Sequence, residues 1–153
     1  MLIGFDLTKD PQILQRAYDD SAGLTGEFNY NLLERINREL GGDFDRQKFV
    51  HHCHYNAARR RMESWLISTQ AQTVSVAAIQ RNFRFGAWEG IHVECSYKYD
   101  TQEIEHFASA AGFSVVRHLF DSKRYFVDSL WQVPGADHFI QEKSPPRHPA
   151  PRT

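Results

Sequence analysis

The sequence predicts an α/β fold in which a helix-and-strand lobe interrupts a layered sheet, and three observations carry that prediction. A short apolar run at residues 2–7, LIGFDL, has the look of a buried parallel strand and is followed at once by helix-start residues. From Phe49 to Tyr99 the pattern turns to short strands separated by turn residues. A helix, a strand and a second strand returning along the first then close the patterned region.

The elements follow in order. Asp10-Pro11 pairs an N-cap with proline at the first helical position, and Ile13, Leu14 and Ala17 supply an apolar stripe that leaves Tyr18 near the helix end. Residues 19–23 read as a loop. Leu24, Phe28, Leu32, Leu33, Ile36 and Leu40 recur at helical spacing, with Thr25 as the expected N-cap and Gly41-Gly42 as the stop. Met62, Ser64 and Leu66 alternate with Glu63, Trp65 and Ile67. Residues 73–79, 82–85 and 91–97 have similar β character, which suggests an antiparallel meander. Asp100 and Glu103 form a capping-box pattern for a helix faced by Ile104, Phe107, Ala108 and Ala111. Residues 113–120 and 125–133 then read as an antiparallel strand pair. Four prolines fall between Ser144 and Thr153, and everything past about residue 138 reads as a disordered tail.

Composition narrows the function classes. A chain of 153 residues with 41% apolar and 24% charged residues can build a core without disulfides or metal staples. A net charge of −1 gives no broad pull on nucleic acid or an anionic membrane. The one basic run, Arg59-Arg60-Arg61, reads as a solvated strand edge or turn, and Trp65, Trp88 and Trp131 read as packing because no basic groove accompanies them. Two distant cysteines, Cys53 and Cys95, suit a reducing compartment, and the N-terminus resembles neither a leader nor a membrane span. A soluble, cytoplasmic protein is expected, with no nucleic-acid or membrane partner.

Three stretches are more specific than topology: LIGFDLTKDPQILQRAYDDSAGLTGEFNYNLLERINRELGGDFD at residues 2–45, RMESWL at 61–66 and IHVECSYKY at 91–99. Together they resemble the histidine-specific, SAM-dependent methyltransferases, and the similarity runs from residue 2 to about residue 133. The resemblance implies the C-terminal part of a class I (Rossmann-like) methyltransferase sheet, with an inserted α+β substrate-binding lobe. On that reading residues 1–23 and 98–133 belong to the sheet, 24–97 form the lobe, and 134–153 are the proline-rich tail. The implied activity is methylation of the α-amino group of L-histidine towards hercynine in ergothioneine biosynthesis, with S-adenosyl-L-methionine as cofactor. The family's glycine-rich cofactor loop has no counterpart here, so a partner chain or an N-terminal half upstream of Met1 is expected to supply it. The isolated chain is then expected to be inactive.

Glu94 and Ser96 lie two apart on an expected strand, so both side chains share a face. A carboxylate accepts from an imidazole N–H and a hydroxyl serves the other ring nitrogen, a pairing that suits imidazole well. The resemblance assigns these two residues to the histidine ring, Tyr18 to the substrate carboxylate and Thr25 to a place near the imidazole. It also places Ser64 on the pocket wall, where many family members carry methionine. No residue is expected to act as a catalytic base, since positioning of the amine is the protein's main contribution.

His51-His52-Cys53-His54 suggests metal ligands, but on a strand its members alternate between faces, so no metal is expected. His92 is expected on the same side as Glu94, and Cys95 on the opposite side, in the core. Two other readings remain open: a non-catalytic histidine-binding module or inactive remnant, and a relative acting on another amino acid such as a tryptophan derivative. An indole has one N–H, which leaves one of Glu94 and Ser96 without a partner.

Overall fold

The computed structural model describes residues 1–19 and 23–135; the expected disordered tail lies outside them. The chain is α/β, with two three-stranded sheets, a separate hairpin and three helices among the described residues.

Strand β1 (Leu2–Asp6) opens the chain, and β7 (Ser114–Phe120) and β8 (Phe126–Gln132) close it. They form one sheet in the order β1-β8-β7, with β8 antiparallel to both neighbours. It follows that β1 and β7 run parallel to each other with β8 between them. β1 was expected to be a buried parallel strand. Instead it pairs antiparallel with β8, and Leu2 is 59% exposed. An apolar run reports burial on some face but carries no information about the direction of its partner, which β8 supplies from the far end of the sequence.

Helix α3 (Thr101–Ala110) covers one face of this sheet. Its capping box is complete: the Asp100 carboxylate accepts from the Glu103 backbone N–H, and the Glu103 carboxylate accepts from that of Asp100. Ile104 and Ala108 pack with Leu7, Val127 and Trp131. Phe5 stacks on Trp131 at 5.9 Å and meets Tyr99 edge-on at 5.5 Å.

Helix α1 (Pro11–Tyr18) is capped by Asp10, as its Asp-Pro start predicts. Helix α2 (Leu24–Leu40) starts two residues earlier than expected. Gly23 caps it in the left-handed region (φ 69°) with no side-chain cap, and Thr25 sits inside the first turn rather than at the N-cap. Its C-terminus closes on left-handed Gly41.

Strands β2 (Phe49–Asn56), β3 (Arg61–Ser68) and β6 (Gly90–Tyr97) form the second sheet, in that order and wholly antiparallel. The hairpin of β4 (Gln72–Val76) and β5 (Arg81–Phe85) stands apart from it, so the meander is interrupted. One face of the β2-β3-β6 sheet packs on the helices. Leu14 of α1 meets Cys53 and Met62, while Leu33 of α2 meets Phe49 and Leu66, with Phe44, Phe85 and Ile91 packed around them. No helix among the described residues is long and apolar enough to cross a membrane.

Candidate functional site

The face of the β2-β3-β6 sheet is set by a bulge. Ser64 pairs with Glu94 but the next residue, Trp65, pairs with His92, so Val93 is an extra residue in β6. C-terminal to the bulge, Glu94 shares a face with Ser64, and Ser96 shares it with Met62. Met62 is in the core under α1, so this is the helix-covered face. N-terminal to the bulge the alternation is reset. His92 pairs with Trp65 on the outer face, its ring 4.5 Å from the indole, not on the side of Glu94 as strict alternation predicts.

Ser96 and Tyr18 are in direct contact: the Tyr18 hydroxyl, at the end of α1, donates to Ser96 Oγ at 2.7 Å. Beneath both lies Lys98, 2% exposed, which the sequence reading passes over. Its Nζ donates to Ser96 Oγ at 2.8 Å, to the Tyr18 hydroxyl at 3.0 Å and to Asp6 Oδ2 at 2.7 Å. The ammonium has three hydrogens and all three are engaged. Asp6 in turn holds Lys9 at 2.5 Å. Backbone bonds fasten the same junction, from Thr8 N–H to Tyr99 O and from Tyr99 N–H to Asp6 O. The end of β1, the end of α1 and the end of β6 therefore meet at one buried cation.

Glu94 opens into a cleft of about 370 Å³ lined also by Phe28, Asn29, Leu32 and Arg35 of α2. Asn29 is 4% exposed, and its amide donates to the Thr25 carbonyl at 2.8 Å and lies 3.4 Å from His51 Nε2. Thr25 thus stands one helical turn before a residue that lines the cleft. Ser64 is 1% exposed beside Glu94. The structure brings Tyr18 to Ser96 and Ser64 to Glu94, and it places Thr25 on α2, one turn before Asn29. Asp6, Asn29 and Lys98 join the site from outside the sequence reading. The signal for the ion pair was in the text: an acid inside the apolar run LIGFD and a lysine between two tyrosines at the end of a strand.

The outer face carries a different set. Arg61 holds the Glu63 carboxyl below the usual carboxylate range, with Asn56 and His54 adding to the effect. His52 and His54 stack there at 5.7 Å, and Cys95 Sγ lies 3.3 Å from His92 Nε2. Cys95 is half-buried rather than a core residue, and Trp88 is 72% exposed rather than packed. Among the described residues no three metal-ligating side chains gather.

Residues 1–133 match the family model described as "Histidine-specific methyltransferase, SAM-dependent". The chain is 41% identical over 130 residues to a "Histidine N-alpha-methyltransferase" of Mycobacterium tuberculosis (strain CDC 1551 / Oshkosh), covering 85% of this chain and 40% of that protein. It is 42% identical over 112 residues to the protein of the same name in Mycolicibacterium smegmatis, covering 73% of this chain and 35% of the relative. An "Ergothioneine biosynthesis protein 1" of Neurospora crassa is 30% identical over 122 residues, covering 76% and 13% respectively. The chain therefore spans about two fifths or less of the length of these relatives. With the match running over all three quoted motifs and nearly all of the described residues, the chain belongs to the histidine-specific, SAM-dependent methyltransferase family.

Proposed function

We propose that this chain is the histidine-binding part of an enzyme that methylates the α-amino group of L-histidine towards hercynine, in ergothioneine biosynthesis. The observation that carries the reading is the pairing of a carboxylate and a hydroxyl on one face of β6, Glu94 over a cleft and Ser96 above a buried lysine. An imidazole laid across them finds an acceptor at Glu94 for its N–H and a partner at Ser96 for its second nitrogen. Tyr18, whose one O–H is given to Ser96, borders the site, and Thr25 and Ser64 complete the wall. In this reading residues 24–97 form the lobe that selects the amino acid. Residues 1–23 and 98–133 belong to the sheet of a class I (Rossmann-like) fold, in a cytoplasmic enzyme.

The family name implies SAM, which supplies the methyl group. Among the described residues the left-handed glycines sit at the start of α2 (Gly23), at helix ends (Gly41 and Gly112) and after β8 (Gly135). None lies in a strand-to-helix turn, so these residues do not form a cradle for the cofactor, and we assign that role to another part of the protein or a partner. What this chain's residues do is grip the ring, leaving the amine uncontacted and oriented for attack. Orientation of this kind supplies much of the rate of a bimolecular transfer.

Calorimetric titration of the 153-residue chain with L-histidine tests the reading. Binding that is abolished in Glu94→Ala is expected, since the ring N–H then faces no acceptor. Equal binding of histidine by wild type and Glu94→Ala, or preference for tryptophan over histidine, would overturn it.

A further inference from the structure

The geometry points to Lys98 as a positioning residue that fixes the polarity of the Ser96 hydroxyl, so that the site takes histidine with a neutral imidazole and rejects the imidazolium. This deepens the histidine-binding reading and rests on it.

A serine hydroxyl has two acceptor positions and one donor. Ser96 Oγ accepts from Lys98 Nζ at 2.8 Å and from the Tyr18 hydroxyl at 2.7 Å. Both acceptor positions are filled, and what Ser96 has left to offer a ligand is its own O–H. Lys98 is not free to turn away. It is tied to Asp6 and Tyr18 as well, and its side chain is fully buried. The Glu94 carboxylate only accepts. A ring held between them therefore needs one N–H, for Glu94, and one bare nitrogen, for Ser96. Neutral imidazole has that pattern. The imidazolium presents two N–H groups, one of which would meet the Ser96 donor with the Lys98 ammonium behind it.

The pH dependence of binding separates Lys98 from Glu94 by its sign. A lone carboxylate attracts the cation, so binding governed by Glu94 would tighten as pH falls through the imidazole range. Binding governed by the Lys98–Ser96 geometry weakens instead. Other groups titrate nearby: Asp6 and Lys9 from β1 and its following loop, Tyr18 from α1, Arg35 from α2, and His51, Cys53 and Tyr55 from β2. Met62 and Ser64, which β3 presents on this face, do not titrate. The telling quantity is therefore the difference between two proteins that share all of these.

The experiment is calorimetry of L-histidine binding to the 153-residue chain between pH 5.5 and 7.5, in wild type and in Lys98→Met. With an imidazole pKa near 6.5, wild-type affinity is expected to fall about tenfold from pH 7.5 to pH 5.5. In Lys98→Met, Ser96 regains an acceptor position and the profile is expected to flatten or reverse. Because Lys98→Met leaves Asp6 without its buried partner, Asp6→Asn/Lys98→Met serves if the single variant fails to fold. Tyr18→Phe frees one acceptor position on Ser96 and should flatten the profile in part. A purely structural role for Lys98 would lower affinity equally at every pH, and parallel profiles in wild type and variant overturn this inference alone. No binding of histidine by the wild type at any pH overturns the histidine site and this inference with it.

Discussion

Ser64 stands directly opposite Glu94 across the β3–β6 ladder, 1% exposed, on the face that the helices cover. In the family resemblance a methionine is common at this position, so on the proposed reading the wall beside the ring is here smaller and more polar. Ser64→Met should return apolar surface to the ligand. About 1 kcal/mol from that contact corresponds to roughly a fivefold gain in histidine affinity, read by calorimetry. An unchanged affinity would place Ser64 off the pocket wall.

Tyr18 gives one hydrogen bond and receives another in the buried cluster. Tyr18→Phe should lower stability to urea by about 1 kcal/mol, the net worth of a typical internal hydrogen bond. Histidine affinity should fall further than stability does, because Tyr18 also holds Ser96 at the proposed ring site. A stability loss with affinity intact would confine Tyr18 to the cluster.

Asp121 closes the turn between β7 and β8 by accepting from the backbone N–H groups of Lys123, Tyr125 and Phe126. Those bonds, that of Phe126 foremost, hold its carboxyl below the usual range. A depressed folded-state pKa contributes stability above the unfolded value of about 3.9 and loses it as pH falls through the lower folded value. Asp121→Ala should therefore be less stable than wild type at pH 6, with the gap closing below about pH 4. Thermal melts at a series of pH values check this, and a gap that persists at pH 2.5 would contradict it.

Ile104 is 0% exposed and sits where α3 meets Leu7, Val127 and Trp131. Ile104→Ala should cost about 2–5 kcal/mol, the range for truncating a fully buried aliphatic side chain. Denaturant titration followed by tryptophan fluorescence reports it, since Trp131 is in the same cluster. A loss under 1 kcal/mol would mean that α3 is not anchored there.

Local rules read much of this molecule from the text. Asp10-Pro11, Gly41 and the Asp100/Glu103 box mark helix ends through bonds that span five residues or fewer, and all three do so here. The face shared by Glu94 and Ser96 is likewise a two-residue matter, set by the pleat. Errors arose wherever a distant partner decides. Val93 adds one residue to β6, and that addition, invisible without β3 beside it, carries His92 to the outer face. The partner of β1 lies more than a hundred residues away. Thr25 lost the N-cap to Gly23, whose left-handed backbone turns the chain without a side-chain bond. Lys98 was missed because a lysine just past a strand end ordinarily points to water, and only Asp6, 92 positions earlier, pairs its buried charge.

That ion pair has a bearing on how the family can diverge. Losing Asp6 alone strands the Lys98 ammonium in the interior, at a cost on the order of 3–5 kcal/mol, while exchanging both for neutral groups is far cheaper. Substitutions at positions 6 and 98 should therefore be inherited together. Across homologues the two sites are expected to covary, an acid at one accompanying a base at the other. A lineage that has dropped both marks a pocket whose selectivity for the charge state of the ring has been rewritten.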